Sequence, residues 1–392
     1  MVLTPNPYRP GAGTTPAYLA GREQVLHDAQ AVLENIRVGF PARSVIYYGL
    51  RGVGKTVLLN RIGEMAEDMD VPVEYMEIAE REHSFQEAIV LHIYKLMSKL
   101  SPMDKLEGYV KKAMGILKAF SVKYTDKAAG IEIAFDPVHG IADTGNLPND
   151  MTELFLALGR LAQKREQGVA LFIDEIQYID DADFEALIEA LHRVNQKGYP
   201  LVVFAAGLPK IVRLAGEIKS YAERLFQFTA IGSLSEADAR LALEKPAAKM
   251  QVTFESDAVA RVLVVTEGYP YFIQEYGKWI WENRAHADTI TVAIVERAYR
   301  DFESAMDEAF FKVRHDRATP RELEFMTAMV RSGELPCNMK DVAQQMGESA
   351  QKVGPLRAQL IHKGFIYAPQ RGTVAFTVPQ FDRYLKRVYH IG

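Results

Sequence analysis

The chain has little of several features that mark other protein classes. Its 392 residues include one cysteine, Cys337, which excludes an intramolecular disulfide and a cysteine-rich metal site. The nine histidines form no H-E-x-x-H pattern and no Cys/His cluster, so we do not expect a metal held by those ligands. No apolar run reaches the roughly 18 residues that span a bilayer, and the N-terminus lacks the build of a signal peptide. These absences predict a cytoplasmic protein without membrane partners.

The overall charge does not indicate a polyanion-binding protein, because the formal net charge is -5 and the pI is about 6.0. The charge is unevenly distributed, however. From Arg317 onward, Lys and Arg outnumber Asp and Glu. Such asymmetry is typical of a module that faces nucleic acid, but also of a mildly basic solvated surface.

The length predicts two or three domains. Residues 1–18 are rich in Pro, Gly and Thr and predict an extended lead-in. Beyond them, β-prone segments alternate with helical patterns, which predicts a doubly wound parallel α/β sheet over residues 19–232. The predicted strands are Ser44–Tyr48, Val71–Ile78, Val169–Ile173 and Leu201–Ala205.

Within that region, residues 101–150 predict an insertion, with a β-hairpin formed by Phe120–Tyr124 and Ile131–Phe135. After Gly232 the strand pattern stops, and residues 233–315 predict a small all-helical domain. Its first helix begins at a capping pattern, Ser235 to Asp238. Asp181 or Asp183 is an available cap for the predicted helix Asp181–Gln196.

Residues 49–56 read Gly-Leu-Arg-Gly-Val-Gly-Lys-Thr, which matches the phosphate-binding pattern G-x-x-x-x-G-K-[ST] between a predicted strand and a predicted helix. Glycines let the backbone approach phosphate, and the helix N-terminus favours the anion. Lys55 is expected to contact the β- and γ-phosphates of ATP, and Thr56 is expected to bind Mg²⁺. The predicted nucleotide-contacting residues are Gly49, Leu50, Arg51, Gly52, Val53, Gly54, Lys55, Thr56 and Val57.

Two carboxylates, Asp174 and Glu175, follow the apolar run Val169–Ile173. Ligands bind at the carboxyl ends of strands in open α/β sheets. We therefore predict that Asp174 binds Mg²⁺ and that Glu175 is the base for the attacking water. A helix cap after a core strand is the alternative. Arg224 is a candidate for stabilising the transferred phosphoryl charge, or else forms a surface salt bridge.

The last region, residues 316–392, predicts a winged-helix domain. It combines the helices Met339–Met346 and Ala350–Lys363 with a hairpin formed by Phe365–Tyr367 and Val374–Val378. Ser349 is the expected cap of the second helix, which Gly354-Pro355 is expected to interrupt. Candidate contacts to double-stranded DNA are Lys352, Arg357, Lys363 and Arg371. Such domains also bind proteins, so the fold does not decide the partner.

Taken in order, these motifs resemble bacterial AAA+ ATPases of the origin-recognition/initiator clade, and overlap with the STAND signalling NTPases. Gly21-Arg22-Glu23 and Gly268-Tyr269-Pro270 add to the resemblance. The resemblance extends from about Leu19 to Lys386. It implies that Gly21 and Arg22 lie over the adenine and that Pro270 belongs to the lid signature.

The sequence departs from that family at two positions. Members commonly place a polar residue at the end of the next strand, but residues 204–209 read Phe-Ala-Ala-Gly-Leu-Pro; the lid motif also carries no arginine. We therefore expect slow ATP hydrolysis and use of ATP/ADP as a switch. The expected function is a DNA-binding, initiator-like ATPase. The alternatives are a signalling NTPase with a protein partner or self-association, and a nucleotide-binding module without turnover.

Overall fold

The computed structural model describes residues 5–78, 85–100, 108–125 and 133–391. The chain divides into two compact units. The α/β unit comprises Arg22–Gly49 and Lys55–Ile231, and the helical unit comprises residues up to Gly21, Leu50–Gly54 and Gly232 onward. Within the described ranges, no helix has the length and apolar composition needed to cross a membrane.

The α/β unit is built on a five-stranded sheet in which every pair is parallel, with the order β2-β3-β4-β1-β5. The strands are β1 Ser44–Tyr48, β2 Val73–Glu77, β3 Val169–Asp174, β4 Leu201–Gly207 and β5 Phe226–Ala230. The helices are α1 Glu23–Arg37, α2 Lys55–Asp68, α3 Phe85–Leu100, α4 Gly108–Tyr124, α5 Leu147–Lys164, α6 Asp181–Gln196, α7 Lys210–Ile218 and α8 Ala222–Leu225. The α/β fold and the four predicted strands are confirmed.

The strand order determines where functional side chains meet. β3 and β4 are buried along nearly their whole length, as expected of strands covered on both faces. Phe172 of β3 stacks on Phe204 of β4, with ring centroids 5.2 Å apart. Since β4 lies between β1 and β3, the residues that follow β1 and those that end β3 flank the carboxyl end of β4.

The predicted hairpin is wrong. Phe120–Tyr124 is the last part of α4, in which Val110, Ala113, Leu117 and Phe120 recur at helical spacing and are buried in the core of the α/β unit. Burial with a period of three to four residues along all of α4 is stronger evidence for a helix than an alternation of apolar and polar residues over five positions is for a strand. Ile131 lies outside the described residues, and residues 133–135 do not form a strand.

Two smaller points about this unit also differ from the sequence analysis. β5 was not predicted. α6 begins at Asp181 as expected, but its N-cap is Asp180, which makes no side-chain capping bond. Asp181 and Asp183 lie in the first turn instead, where acidic residues favour the helix dipole.

The helical unit contains the predicted helices and one short β-pair. Its elements are α9 Glu236–Ala248, β6 Thr253–Phe254, α10 Ser256–Thr266, α11 Pro270–Asn283, β7 Thr289–Ile290, α12 Val292–Ala305, a π-helical segment Met306–Phe311 and α13 Lys312–His315. Ser235 caps α9 by accepting a hydrogen bond from Asp238 N at 3.1 Å. The prediction of an all-helical region is wrong, because β6 and β7 pair in parallel.

The C-terminal part of the helical unit combines helices with a three-stranded antiparallel sheet in the order β8-β10-β9. Its elements are α14 Pro320–Arg331, β8 Cys337–Asn338, α15 Met339–Gln345, α16 Ala350–His362, β9 Ile366–Tyr367, β10 Thr373–Phe376 and α17 Phe381–Tyr389. The predicted hairpin is present, and β8 adds a third strand, in which Cys337 is buried.

Two expectations about α16 are wrong. The helix is continuous through Pro355, which lies in its second turn; the proline removes one backbone donor there but does not end the helix. Ser349 occupies the N-cap position, but its side chain makes no capping bond.

Candidate nucleotide-binding site

The glycine-rich loop joins β1 to α2 and has a backbone that only glycine adopts without strain. Gly52 and Gly54 have φ of 84° and 89°, in the left-handed region. Gly49 N donates to Gly207 O at 3.1 Å, which fastens the start of the loop to the end of β4. α2 begins at Lys55, so its free N–H groups and positive dipole end lie at the loop, as an anion site requires.

Lys55 is buried, with 8% of its surface exposed. Its Nζ donates to Gly49 O at 3.0 Å. In this arrangement a carbonyl oxygen of the loop holds the position that a phosphate oxygen of a bound nucleotide would take. The ammonium group is therefore already directed into the loop.

Thr56 and Asp174 meet at the start of α2. The Thr56 hydroxyl donates to Asp174 Oδ2 at 2.6 Å, and Glu175 N donates to Asp174 Oδ1 at 2.8 Å. Burial raises the pKa of Asp174 above the usual range of aspartate, while the hydrogen bonds from Thr56 and Glu175 act in the opposite direction. The sequence placed these two side chains 118 residues apart, and the fold brings them together.

This pair fits Mg²⁺. The ion takes oxygen ligands at about 2.0–2.1 Å in octahedral geometry, which puts adjacent ligands about 3 Å apart. The hydroxyl and carboxylate oxygens are 2.6 Å apart, so an increase of a few tenths of an ångström in this distance would let both oxygens bind the ion. Among the described residues, no cluster of three or more His, Cys, Asp or Glu side chains offers another metal site.

Glu175 follows β3 in a left-handed conformation, with φ 54° and ψ 34°. Such a backbone is costly for a residue with a side chain and is concentrated at functional sites. The Glu175 carboxylate accepts a hydrogen bond from Gln177 Nε2. Gln177 was not predicted as a site residue. It is a polar residue between Ile176 and Tyr178, but the sequence does not indicate which strand its side chain contacts.

Gln177 lies in a 3₁₀ turn, Ile176–Tyr178, and is 3% exposed. Its Oε1 accepts a hydrogen bond from Leu208 N at 2.9 Å. Leu208 directly follows β4. The Gln177 amide thus connects Glu175 to the end of the neighbouring strand.

Within the helical unit, the tip of the loop contacts the predicted lid signature. Tyr269 Oη donates to Arg51 O, and Tyr271 N donates to Gly52 O at 3.3 Å. Pro270 is the first residue of α11, where proline is favoured. Arg51 N also donates to Thr377 O of the C-terminal part at 3.3 Å.

The two residues predicted to lie over the adenine fall at the boundary of the units. Gly21 has φ 64°, and a Cβ there would lie 2.8 Å from Asp238 Oδ2 of the same unit. Arg22 is the N-cap residue of α1 and is 8% exposed.

Arg224 is not brought together with Lys55, Thr56 and Asp174 in the α/β unit. It lies exposed in α8, directly before β5. Phe226 pairs with Ser44, the first residue of β1, whereas the glycine-rich loop follows the last. Because the strands are parallel, Arg224 is at the opposite edge of the sheet from the loop.

The four candidate DNA contacts differ in availability. Lys352 and Arg371 are exposed, and Arg357 is half-buried. Lys363 Nζ lies 2.9 Å from Oε1 of Glu322, a carboxylate that is fully buried. Lys363 is therefore engaged in an ion pair between α14 and α16.

Residues 18–204 match the family described as AAA ATPase domain. This part of the chain is therefore similar to AAA ATPase domains. Residues 308–385 match a domain of unknown function, DUF8462. No curated protein matches the chain.

Solved structures with a similar fold include the Walker-type ATPase PABY2304 of Pyrococcus abyssi. It is 16% identical, with a TM-score of 0.62 over 96% of this chain and 98% of that chain. The Aeropyrum pernix ORC1 protein in complex with DNA is 15% identical, with a TM-score of 0.46 over 96% of each chain. The Thermotoga maritima RuvB Holliday junction branch migration motor is 17% identical, with a TM-score of 0.45 over 94% and 95%.

Proposed function

We propose that the protein binds ATP with Mg²⁺ at the glycine-rich loop, hydrolyses it slowly, and uses its nucleotide state to control the C-terminal part of the chain. The observation that carries the proposal is the hydrogen bond between Thr56 and Asp174 at the start of α2. It pairs the two oxygen ligands expected for Mg²⁺ with a helix N-terminus suited to phosphate.

In the proposed reaction, Lys55 exchanges the Gly49 carbonyl for the β- and γ-phosphate oxygens. Thr56 and Asp174 would hold Mg²⁺, which would neutralise negative charge on the phosphates. Glu175 accepts a hydrogen bond from the attacking water and takes its proton as the new P–O bond forms. The bond from the γ-phosphorus to the bridging oxygen breaks, and ADP and phosphate leave.

The test is the rate of ATP hydrolysis in Lys55→Ala and Glu175→Gln, with Glu34→Gln as a matched control on the exposed face of α1. We expect Lys55→Ala to lose nucleotide binding. Glu175→Gln should retain binding and lose turnover by about 10²-fold or more, since a general base contributes 10²–10⁴-fold. Unchanged turnover in Glu175→Gln would remove Glu175 as the base.

We further propose that the C-terminal part is a winged helix that contacts double-stranded DNA. The support is the order of α15, α16 and the β9–β10 hairpin, together with exposed Lys352 on α16 and exposed Arg371 between the hairpin strands. The bond from Arg51 N to Thr377 O offers a route by which nucleotide at the loop affects this domain.

DNA binding is tested by fluorescence anisotropy of a random-sequence duplex with ATP, with ADP and without nucleotide, at two salt concentrations. The variant is Lys352→Glu/Arg371→Glu, and the control is Lys164→Glu/Arg193→Glu, which makes the same charge change on exposed sites of the α/β unit. We expect nucleotide-dependent binding that weakens with salt and is lost only in the first variant. Equal binding by both variants would contradict the DNA proposal.

One observation favours a second candidate, a signalling NTPase whose C-terminal domain binds protein. The engagement of Lys363 by buried Glu322 removes one of four predicted DNA contacts. Absence of DNA binding, together with nucleotide-dependent self-association measured by light scattering, would favour this candidate.

A further inference from the structure

The end of β4 carries no polar side chain, yet a polar group lies beside it. Residues 205–209 read Ala-Ala-Gly-Leu-Pro. The amide of Gln177 is next to this segment: its Oε1 accepts the hydrogen bond from Leu208 N at 2.9 Å. The group comes from the turn after β3 and not from β4 itself.

The fit between Gln177 and Gly207 is close. A Cβ on Gly207 would lie 2.9 Å from Gln177 Oε1 and 2.9 Å from a methyl carbon of Ile176. Real Cβ atoms do not approach neighbours so closely. The backbone of Gly207 is not in the left-handed region that would itself favour glycine, so the glycine is explained by the space that Gln177 and Ile176 occupy.

The two ends of the Gln177 amide have fixed roles. A backbone N–H only donates, so the atom facing Leu208 N is the oxygen, and the NH₂ group is left to face the Glu175 carboxylate. Gln177 is 3% exposed, which shields both bonds from competition with bulk water. Gly207 O, on the same peptide as Leu208 N, accepts the bond from Gly49 N at 3.1 Å.

We propose that Gln177 is the positioning residue for the general base: it fixes the Glu175 carboxylate to the end of β4 and, through the same peptide, to the start of the glycine-rich loop. This inference rests on the proposed ATPase function. The Glu175 side chain has several rotatable bonds, and a bond to a held amide restricts where its carboxylate points. A displacement of a catalytic group by about 1 Å can lower the rate about 10²-fold.

The main test measures kcat, KM and nucleotide affinity in Gln177→Met and Gln177→Glu. Gln177→Met removes both hydrogen bonds at similar volume. Gln177→Glu keeps an acceptor for Leu208 N but presents a carboxylate to Glu175. Gln163→Glu, on the exposed face of α5, is the matched control. We expect kcat to fall about 10²-fold in both variants, with KM and the Kd for ATP within about twofold. Wild-type kcat in either soluble, nucleotide-binding variant would overturn the inference.

A third variant keeps the inference testable if Gln177→Met and Gln177→Glu do not fold. Gly207→Ala retains Gln177 but places a methyl group in the space of its amide oxygen. We expect kcat to fall in this variant as well, with ATP affinity unchanged. A wild-type kcat in Gly207→Ala would count against the inference, because the amide would then not need its observed position.

A double-mutant cycle separates positioning from a general structural role. If Gln177 acts through Glu175, adding Gln177→Met to Glu175→Gln should leave the residual rate unchanged. Rates that fall multiplicatively would show that Gln177 acts elsewhere and would overturn the inference. Absence of turnover in the wild type would refute the proposed ATP hydrolysis, and full turnover in Glu175→Gln would remove Glu175 as the base. Both results differ from active Gln177 variants beside an inactive Glu175→Gln, which would overturn only the inference about Gln177.

Discussion

Asp174 illustrates how a residue proposed to bind Mg²⁺ can oppose stability. Burial raises the pKa of its carboxyl in the folded state. The folded chain therefore binds this proton more tightly than the unfolded chain, so the group contributes stability at low pH that is lost as the pH rises through the folded-state pKa. At neutral pH without Mg²⁺, the ionised carboxylate is a net cost to folding.

We therefore expect Asp174→Asn to unfold at a higher temperature than the wild type at pH 7, without Mg²⁺ or nucleotide. The difference should shrink as the pH falls, because the wild-type carboxyl then takes up its proton. Thermal unfolding as a function of pH measures this, with Asp68→Asn on the exposed end of α2 as control. A wild type that is more stable at pH 7 would contradict the expectation.

For individual residues, the sequence was informative where the candidate site residues are adjacent along the chain. Gly49–Thr56 and Asp174-Glu175 are short motifs, and each predicts its own role. Gln177 could not be found this way, because its role depends on the neighbouring strand: β3 and β4 pair with Ile173 opposite Ala205, which brings Leu208 next to Gln177. Only the strand order supplies that information.

The secondary-structure elements followed the sequence best where local signals determine both ends. α6 spans the predicted Asp181–Gln196, and the acidic residues in its first turn, where the helix dipole favours them, mark its start. β5, in contrast, has the sequence Phe-Gln-Phe-Thr-Ala and one fully buried residue. A partly exposed edge strand of this kind lacks the continuous apolar pattern that identified β3 and β4.

The lead-in was predicted to be extended, but it also packs firmly on its own unit. Tyr8 is 3% exposed, and its hydroxyl donates to Leu243 O at 2.6 Å. Its ring lies edge-on to Trp281 and against Gly277, where a Cβ would come within 2.5 Å. A glycine in the middle of α11 thus makes room for an aromatic residue from the N-terminal segment.

We expect Tyr8→Phe to reduce the free energy of unfolding by about 1 kcal/mol, the net value of one hydrogen bond. Tyr8→Ala should reduce it by about 3–5 kcal/mol, because a cavity is left where the ring was. Urea unfolding followed by the fluorescence of Trp279 and Trp281 measures both. Tyr18→Ala, in the same segment but only partly buried, is the control and should have a smaller effect; equal effects would contradict a specific role for Tyr8.

For the molecule as a whole, the position of Arg224 has a consequence for assembly. Arg224 lies at the edge of the sheet opposite the glycine-rich loop, because β1 and β5 are parallel and begin together. From this position, the stabilisation of phosphoryl charge predicted for Arg224 would act on the site of another copy of the chain, as arginines supplied in trans do in some NTPases.

We expect Arg224→Ala and Lys55→Ala each to lose ATP hydrolysis, and a mixture of the two to regain part of it. In the mixture, an intact Arg224 from one copy completes the intact site of the other. The measurement is the rate per chain as a function of mixing ratio and total concentration. Wild-type turnover in Arg224→Ala would remove this residue from the catalytic set, and a mixture without recovery would exclude action in trans.

The reactivity of the single cysteine can measure how often the C-terminal sheet opens. Cys337 is buried in β8, and burial raises the pKa of its thiol to about 11. At pH 8 only about a thousandth of such a thiol is thiolate, the form that reacts with thiol reagents. We therefore expect Cys337 to be labelled only when the three-stranded C-terminal sheet opens. The half-time of labelling then reports on the frequency of opening, and no engineered probe is needed. Comparing half-times with ATP and with ADP would reveal whether nucleotide loosens or tightens this sheet.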